Sequence, residues 1–175
     1  MSIITTERLV LRPYKDEDRF ALYEYAKNPA VGPNAGWKPH ESPEESLEII
    51  QSLFSSDTVW AITIDGRLIG SIGLHEDIRR TDINSMELGY SLSEEYWHKG
   101  IMTEAAAAVI EYGFESMKLD LIAITAHPDN KRSLRVIEKC GFIYEGRIRW
   151  ASIGYSGDKR DSEVFSLKRD EWGNK

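Results

Sequence analysis

The stretch Met86-Glu87-Leu88-Gly89-Tyr90-Ser91-Leu92, then Ser93-Glu94-Glu95-Tyr96-Trp97, then His98-Lys99-Gly100-Ile101-Met102-Thr103 decides how this chain is read. Met86, Leu88, Tyr90 and Leu92 alternate with Glu87, Gly89 and Ser91, which predicts a strand with two unlike faces. The turn after it opens a helix expected over Thr103 to Met117, where Ala106, Val109, Ile110, Gly113, Phe114 and Met117 recur at helical spacing. The first amides of a helix lack backbone partners and carry the positive end of the dipole, so phosphate is a natural ligand there. Gly100 lets backbone come close to such a ligand and Lys99 can add charge. A glycine that merely solves a turn reads the same way. Neither G-x-G-x-x-G nor G-x-x-x-x-G-K-[ST] is present, so this is no dinucleotide fingerprint and no nucleotide P-loop.

On the C-terminal side, Leu119 to Ala126 is an apolar run bounded by a turn and reads as a buried strand. Asn130 caps a helix expected over Lys131 to Lys139, which Gly141 ends. Phe142 to Ser152 and Arg160 to Leu167 read as strands. On the N-terminal side, Glu7 to Arg12 reads as a short strand. Asp16 to Lys27 reads as a helix capped by Asp16, with Phe20, Tyr23 and Ala26 on one face. Asn28 to Pro39 is a breaker-rich loop between two helices. Ser42-Pro43-Glu44-Glu45 starts the second helix, with Leu47, Ile50 and Phe54 as its buried stripe. Thr58 to Ile64 and Arg67 to Leu74 flank Asp65-Gly66, a hairpin signal. The expected order β, α, α, β, β, β, α, β, α, β, β describes a mixed sheet with helices packed against it.

The chain has 175 residues, 41% hydrophobic and 29% charged, which suits one soluble domain. Its net charge of −7 argues against a nucleic-acid partner, since that affinity rests on Lys and Arg. A lone cysteine, Cys140, excludes an intrachain disulfide and an all-cysteine zinc site, and reads as a small buried residue at a helix end. His40, His75 and His127 show no metal-ligand spacing, so no metal is expected, and each reads as structural or surface. No stretch is long and apolar enough to span a bilayer, and the first residues lack a signal-peptide layout, so no membrane partner and a cytoplasmic location are expected. The charge is uneven. Residues 1–60 carry ten acidic and six basic side chains, net −4; residues 127–150 carry six basic and three acidic, net +3. The positive region is read either as a solvated helix face or as a site for a small anionic ligand.

Taken together, Glu87-Leu88-Gly89-Tyr90, Tyr96 to Ala105, Asn130-Lys131-Arg132-Ser133 and Glu138-Lys139-Cys140-Gly141-Phe142 resemble the GNAT superfamily of N-acetyltransferases. Thr6-Glu7-Arg8-Leu9-Val10-Leu11-Arg12 and Gly157-Asp158-Lys159-Arg160-Asp161 resemble its RimJ/RimL branch, the ribosomal-protein N-terminal acetyltransferases. The resemblance implies an α+β fold over residues 1–175, with a mixed, mostly antiparallel central sheet splayed at its middle and helices on both faces. It implies acetyl-CoA as co-substrate. The pyrophosphate would sit on the amides of His98, Lys99, Gly100, Ile101, Met102 and Thr103. The pantetheine arm would pair with backbone at Tyr90, Ser91 and Leu92. Asn130 and Ser133 would meet the pantetheine and phosphate region, and Lys131, Arg132 and Arg135 would lie near the nucleotide end. The chain departs from the family pattern at Trp97, where Gln or Arg is common, and at Met102, where Gly or Ala is common. Ile137 stands where many members carry the tyrosine that protonates the leaving thiolate.

Acetyl transfer needs a neutral amine. An α-amine with pKa about 7.7–8.0 is roughly 10–20% neutral at pH 7, whereas a lysine near 10.4 is under about 0.1%. A general base therefore matters less for N-terminal amines. Backbone N–H groups of Tyr90 to Leu92 could stabilise the oxyanion. Glu87 is the candidate base, or else a glutamate paired with a neighbouring Arg or Lys. Trp37 and His40 in the long loop are candidate walls of the acceptor site, with core packing as the alternative for Trp37. The favoured acceptor is a protein or peptide N-terminal amine. A polyamine or other small amine comes second, and a non-catalytic CoA-binding module is a further alternative. A homodimer is compatible with the sequence.

Overall fold

The computed structural model describes residues 2–173, with eight strands and five α-helices. The strands form a mixed, mostly antiparallel sheet that does not close. Two compact units are distinguished, residues 2–73 with 90–105, and residues 74–89 with 106–173.

The first unit contains β1 (Ile4–Thr5), β2 (Val10–Arg12), β3 (Val59–Ile64) and the first part of β4 (Arg67–Glu76), in that order across the sheet and antiparallel throughout. The last residues of β5 (Ser85–Leu92) also belong to it. Asp65 and Gly66 join β3 to β4 with φ of 50° and 80°, the two left-handed residues of a tight hairpin. Helix α1 (Arg19–Ala26) follows a 3-10 turn at Asp16–Asp18, and α2 (Pro43–Ser52) follows the long loop. The Ser42 side chain accepts the Glu45 N–H at 3.1 Å, the predicted cap, while Glu45 Oε2 accepts the Glu41 N–H rather than that of Ser42. The cap of α1 differs from expectation. Asp18, not Asp16, stops the turn, accepting the Lys15 N–H at 2.8 Å and both terminal nitrogens of Arg12 at 2.7 Å. The buried stripe of the helix is Leu22, Tyr25 and Ala26. Phe20 is exposed, with the Arg19 guanidinium 4.7 Å over its ring. The unit's core packs Leu22, Tyr25, Ala26, Val31, Ile50, Ala61 and Leu68, with Tyr14, Trp37, Phe54 and Trp97 against them.

The second unit holds the end of β4, most of β5, and β6 (Leu121–Ala126), β7 (Ile143–Ile153) and β8 (Lys159–Lys168), ordered β4-β5-β6-β8-β7. The β5–β6 pair is parallel and covers Ser85–Glu87 against Leu121–Ala123 only, although β6 runs to Ala126 beside β8. Helix α3 (Ile101–Glu115) buries Ala106, Val109, Ile110 and Phe114. Gly113 lets it lie close to its neighbours: a methyl there would meet Ile122 Cδ1 at 2.9 Å. Helix α4 (Lys131–Cys140) starts at Asn130, whose side chain accepts the Ser133 N–H at 3.2 Å, and ends at Gly141 with φ 82°. Helix α5 (Arg169–Trp172) closes the unit, with Arg169 donating to the carbonyls of Phe114 and Leu119. Cys140 is half-buried.

Candidate active site

In the first unit, the stretch expected to hold phosphate is a sharply turned loop feeding a helix. His98 and Gly100 have φ of 61° and 75°, and α3 begins at Ile101, two residues earlier than the periodicity suggested. A methyl on Gly100 would find only one neighbour within 4 Å, a terminal nitrogen of Arg8 at 3.6 Å. The loop is pinned from both sides. Trp97 Nε1 donates to the Leu92 carbonyl at 2.9 Å, and Ser93 N–H donates to that of Ile69 at 2.8 Å. Trp97 is therefore an anchor into the core, a role that a glutamine or arginine could not fill by packing.

Arg8 is the residue that the sequence reading missed. Its Nε donates to Glu104 Oε2 at 2.6 Å and its Nη1 to the Lys99 carbonyl at 3.0 Å. Glu104 Oε1 also accepts the Thr6 hydroxyl at 2.6 Å and the Arg8 N–H at 3.0 Å. The Thr6 hydroxyl and both Arg8 donors hold the Glu104 carboxyl below the ordinary range, against the opposing effect of burial. Thus a Thr-x-Arg pattern near one end of the chain is tied to the first turn of α3. No local pattern signals it, because the partners lie 96 to 98 residues apart.

Within β5, the Ser91 hydroxyl lies 3.3 Å from that of Tyr25, whose own pKa burial pushes up to about 12. Tyr90 is half-buried and Leu92 is buried. Trp37 and His40 are brought together, ring centroids 5.1 Å apart, but inward. His40 is 9% exposed, its Nδ1 is 2.8 Å from Ser46 Oγ, and burial lowers its pKa. Trp37 packs on the core, and only a glycine at position 32 makes room for it, since a methyl there would meet the Trp37 ring at 2.6 Å. A groove of about 420 Å³ beside α1 is lined by Phe20, Glu24, Tyr25, Arg67, Ser93 and Glu95, none of them a site residue expected from the sequence.

In the second unit, Glu87 is held from both sides. Thr125 Oγ1 donates to its Oε1 and Arg79 Nη1 to its Oε2, each at 2.8 Å. His75, at the end of β4, lies against Gly89: a methyl on Gly89 would sit 3.3 Å from its Cδ2 and 3.4 Å from its Nε2. Burial lowers the His75 pKa, and Glu87 pushes it the other way. Asn130 serves as the helix cap, and Ser133 in the first turn is 9% exposed. Lys131 donates to the Pro128 carbonyl and Arg135 pairs with Glu138. Ile137 is fully buried in the core. Among the described residues no cluster of His, Cys, Asp or Glu is placed to hold a metal ion, and no helix is long and apolar enough to cross a membrane.

Comparison with known proteins places these features in one class. Residues 8–143 match the model of the acetyltransferase (GNAT) domain, and the chain belongs to the GNAT family of N-acetyltransferases. It is 31% identical over 172 residues to the uncharacterized N-acetyltransferase YoaA of Bacillus subtilis (strain 168), covering 94% of this chain and 96% of that one. It is 27% identical to the [ribosomal protein uS5]-alanine N-acetyltransferase of Escherichia coli (strain K12), covering 97% and 92%. A solved GNAT-family acetyltransferase from Bacillus anthracis superposes with a TM-score of 0.87 at 26% identity, covering 97% of this chain and all of that one.

Proposed function

We propose that this acetyltransferase moves the acetyl group of acetyl-CoA onto a primary amine by direct attack, and that the amine is the α-amine of a protein or peptide. The observation that carries the cofactor is the turn at Gly100. Its backbone is left-handed, the space a side chain would fill is open, and the nearest group is the guanidinium of Arg8. A cradle of backbone beside a cation suits pyrophosphate. The amides of His98 to Thr103 would hold it, with Arg8 and Lys99 supplying charge. Asn130 and Ser133 would contact the pantetheine and phosphate region, and backbone N–H groups of Tyr90, Ser91 and Leu92 would meet the carbonyl oxygen. Acetyl-CoA supplies the activated thioester.

The α-amine is favoured because its ordinary pKa leaves a usable neutral fraction at pH 7. The Escherichia coli relative named for alanine of a ribosomal protein fits the same acceptor class. Acidic residues of the first sixty that could have attracted a polyamine are partly spoken for: Glu24 pairs with Lys27, and Glu41 and Glu45 with Lys38. A single cytosolic domain acting on such a substrate is consistent with this reading.

The test has two arms. Acetyl-CoA at about 100 times its Kd should stabilise the fold by roughly 2.7 kcal/mol, a rise of several degrees in Tm. Absence of any rise at millimolar acetyl-CoA overturns the cofactor assignment. Thiol release and product mass are then read over a panel of peptides and small amines. Stabilisation without turnover on any of them gives the CoA-binding module instead, and turnover confined to polyamines moves the acceptor.

A further inference from the structure

We propose that His75 is the general base that accepts the proton of the acceptor amine, and that Glu87 is a positioning residue that steadies the charged imidazole. The inference rests on the acetyl-transfer reading above. It begins from how Glu87 is held. Both oxygens of its carboxyl group are already engaged, one by the Thr125 hydroxyl and the other by the Arg79 guanidinium, so the side chain is committed to neighbours within the fold. Thr125 and Arg79 together therefore hold the Glu87 side chain in one orientation.

His75 is placed to use that carboxyl group. Glu87 and Gly89 are two residues apart on β5, so they share a face of the strand. The His75 ring lies over Gly89 on that face, with its Nε2 edge against the glycine, in a space that any side chain at position 89 would crowd. The strand continues directly from Gly89 into Tyr90, Ser91 and Leu92, the segment proposed to meet the acetyl group. The ring is partly desolvated at Gly89 while the residue as a whole remains exposed, so it is open to an incoming amine. Its pKa below the ordinary histidine value keeps it neutral, and able to accept a proton, at pH 7. The charged groups that bear on it are Glu87 on β5 and, through Glu87, Arg79 in the segment after β4. Thr125 on β6 is neutral.

The step balances. A C–N bond forms between the amine and the acetyl carbon, and the amine proton passes to a ring nitrogen of His75. The C–S bond breaks with its electron pair on sulfur, the thiolate takes a proton from water, and His75 returns its own proton to water.

The test uses two readouts on the full chain. In an NMR titration of the histidine ring protons, with His75 assigned by its loss in His75→Gln, wild-type His75 titrates below the ordinary value and Glu87→Gln moves it lower still. A His75 titration unmoved by Glu87→Gln overturns the pairing. In the pH profile of kcat/KM, on whichever amine is turned over, His75→Gln lowers the rate by about 10²–10⁴ and removes the acid limb. Glu87→Gln costs far less and shifts that limb to lower pH. An active wild type whose His75→Gln variant keeps both rate and limb overturns the base role alone, whereas a wild type that acetylates no amine overturns the underlying reading and the base role with it.

Discussion

Gly70→Ala offers a sharp test of how the first unit is built. Gly70 sits in β4 opposite Ile62, and a methyl there would lie 2.5 Å from the Ser91 carbonyl oxygen, 3.1 Å from Leu92 Cδ1 and 3.2 Å from Leu92 Cα. Ordinary contact begins near 3.4 Å, so the first approach is about 0.9 Å too close, and the obstacle is backbone that cannot rotate away. Relief requires β4 and the end of β5 to separate, loosening the Ser93 N–H bond to Ile69. Overpacking of this kind costs about 1–3 kcal/mol, and removing a glycine from a strand returns about 0.5–1. Because backbone must move, the net loss should fall near 2 kcal/mol. For a chain of this size that is a drop of roughly 4–8 °C in Tm. Differential scanning fluorimetry measures it, with and without acetyl-CoA. Gly66→Ala is the control, since nothing lies within 4 Å of its added methyl and its loss comes only from the left-handed φ of 80°. Gly70→Ala should also weaken the cofactor-induced rise, because Ser91 and Leu92 move, whereas Gly66→Ala should leave it intact. A Gly70→Ala protein with Tm within about 2 °C of wild type and an unchanged rise would refute the reasoning.

Glu104, with its carboxyl held below the ordinary range, contributes stability that is present above the unfolded-state value and is lost as pH falls through the lowered folded-state value. Glu104→Gln should therefore lower Tm at pH 7, and the gap from wild type should narrow in acid; a gap that is constant with pH would remove the linkage. Asn130→Ala should cost about 1 kcal/mol through loss of the α4 cap, measured by urea denaturation, and Asn130→Asp should restore most of it. If the aspartate variant recovers stability but not the acetyl-CoA-induced rise, the side chain serves the cofactor as well as the helix.

Features governed by chemistry within four residues were legible in the sequence. The Asp65-Gly66 hairpin, the Ser42 cap and the Asn130 and Gly141 ends of α4 all stand where local rules put them. What was not legible depends on partners beyond that local range. The buried face of α1 was read through Phe20, whereas packing against Val31, Ile50, Ala61 and Leu68 buries Leu22, Tyr25 and Ala26 instead. Strand β1 was missed because Ile4 and Thr5 are defined by pairing with Leu11 and Val10, not by any periodicity of their own. In the candidate site, the strand, turn and helix, the Asn130 cap and a basic partner for Glu87 were legible, while the identity of that partner and the inward turn of His40 were not. The Arg79 that pairs with Glu87 lies in an irregular segment, and His40 reads as a loop residue although Ser46 draws it inside.

The N-terminal pattern has a physical explanation that the total charge of −7 conceals. A glutamate in the first turn of α3 is favourable to the helix dipole, yet it places negative charge where a phosphate would bind. Left alone, Glu104 would compete with the anion for the same amides and repel it. Arg8 removes that conflict. Its Nε pairs with Glu104, so the acid still supports the helix but presents little net charge, and its remaining terminal nitrogen lies on the Gly100 side. Thr6 takes the other carboxylate oxygen and fixes which way the pair faces. The loop is thereby left with the helix amides, a neutralised glutamate and an Arg8 N–H donor on the Gly100 side, on a protein whose overall field would turn an anion away. Local arrangement outweighs net charge here because screening at physiological salt limits the distant carboxylates to about 8 Å, while Arg8 is within contact distance of the turn.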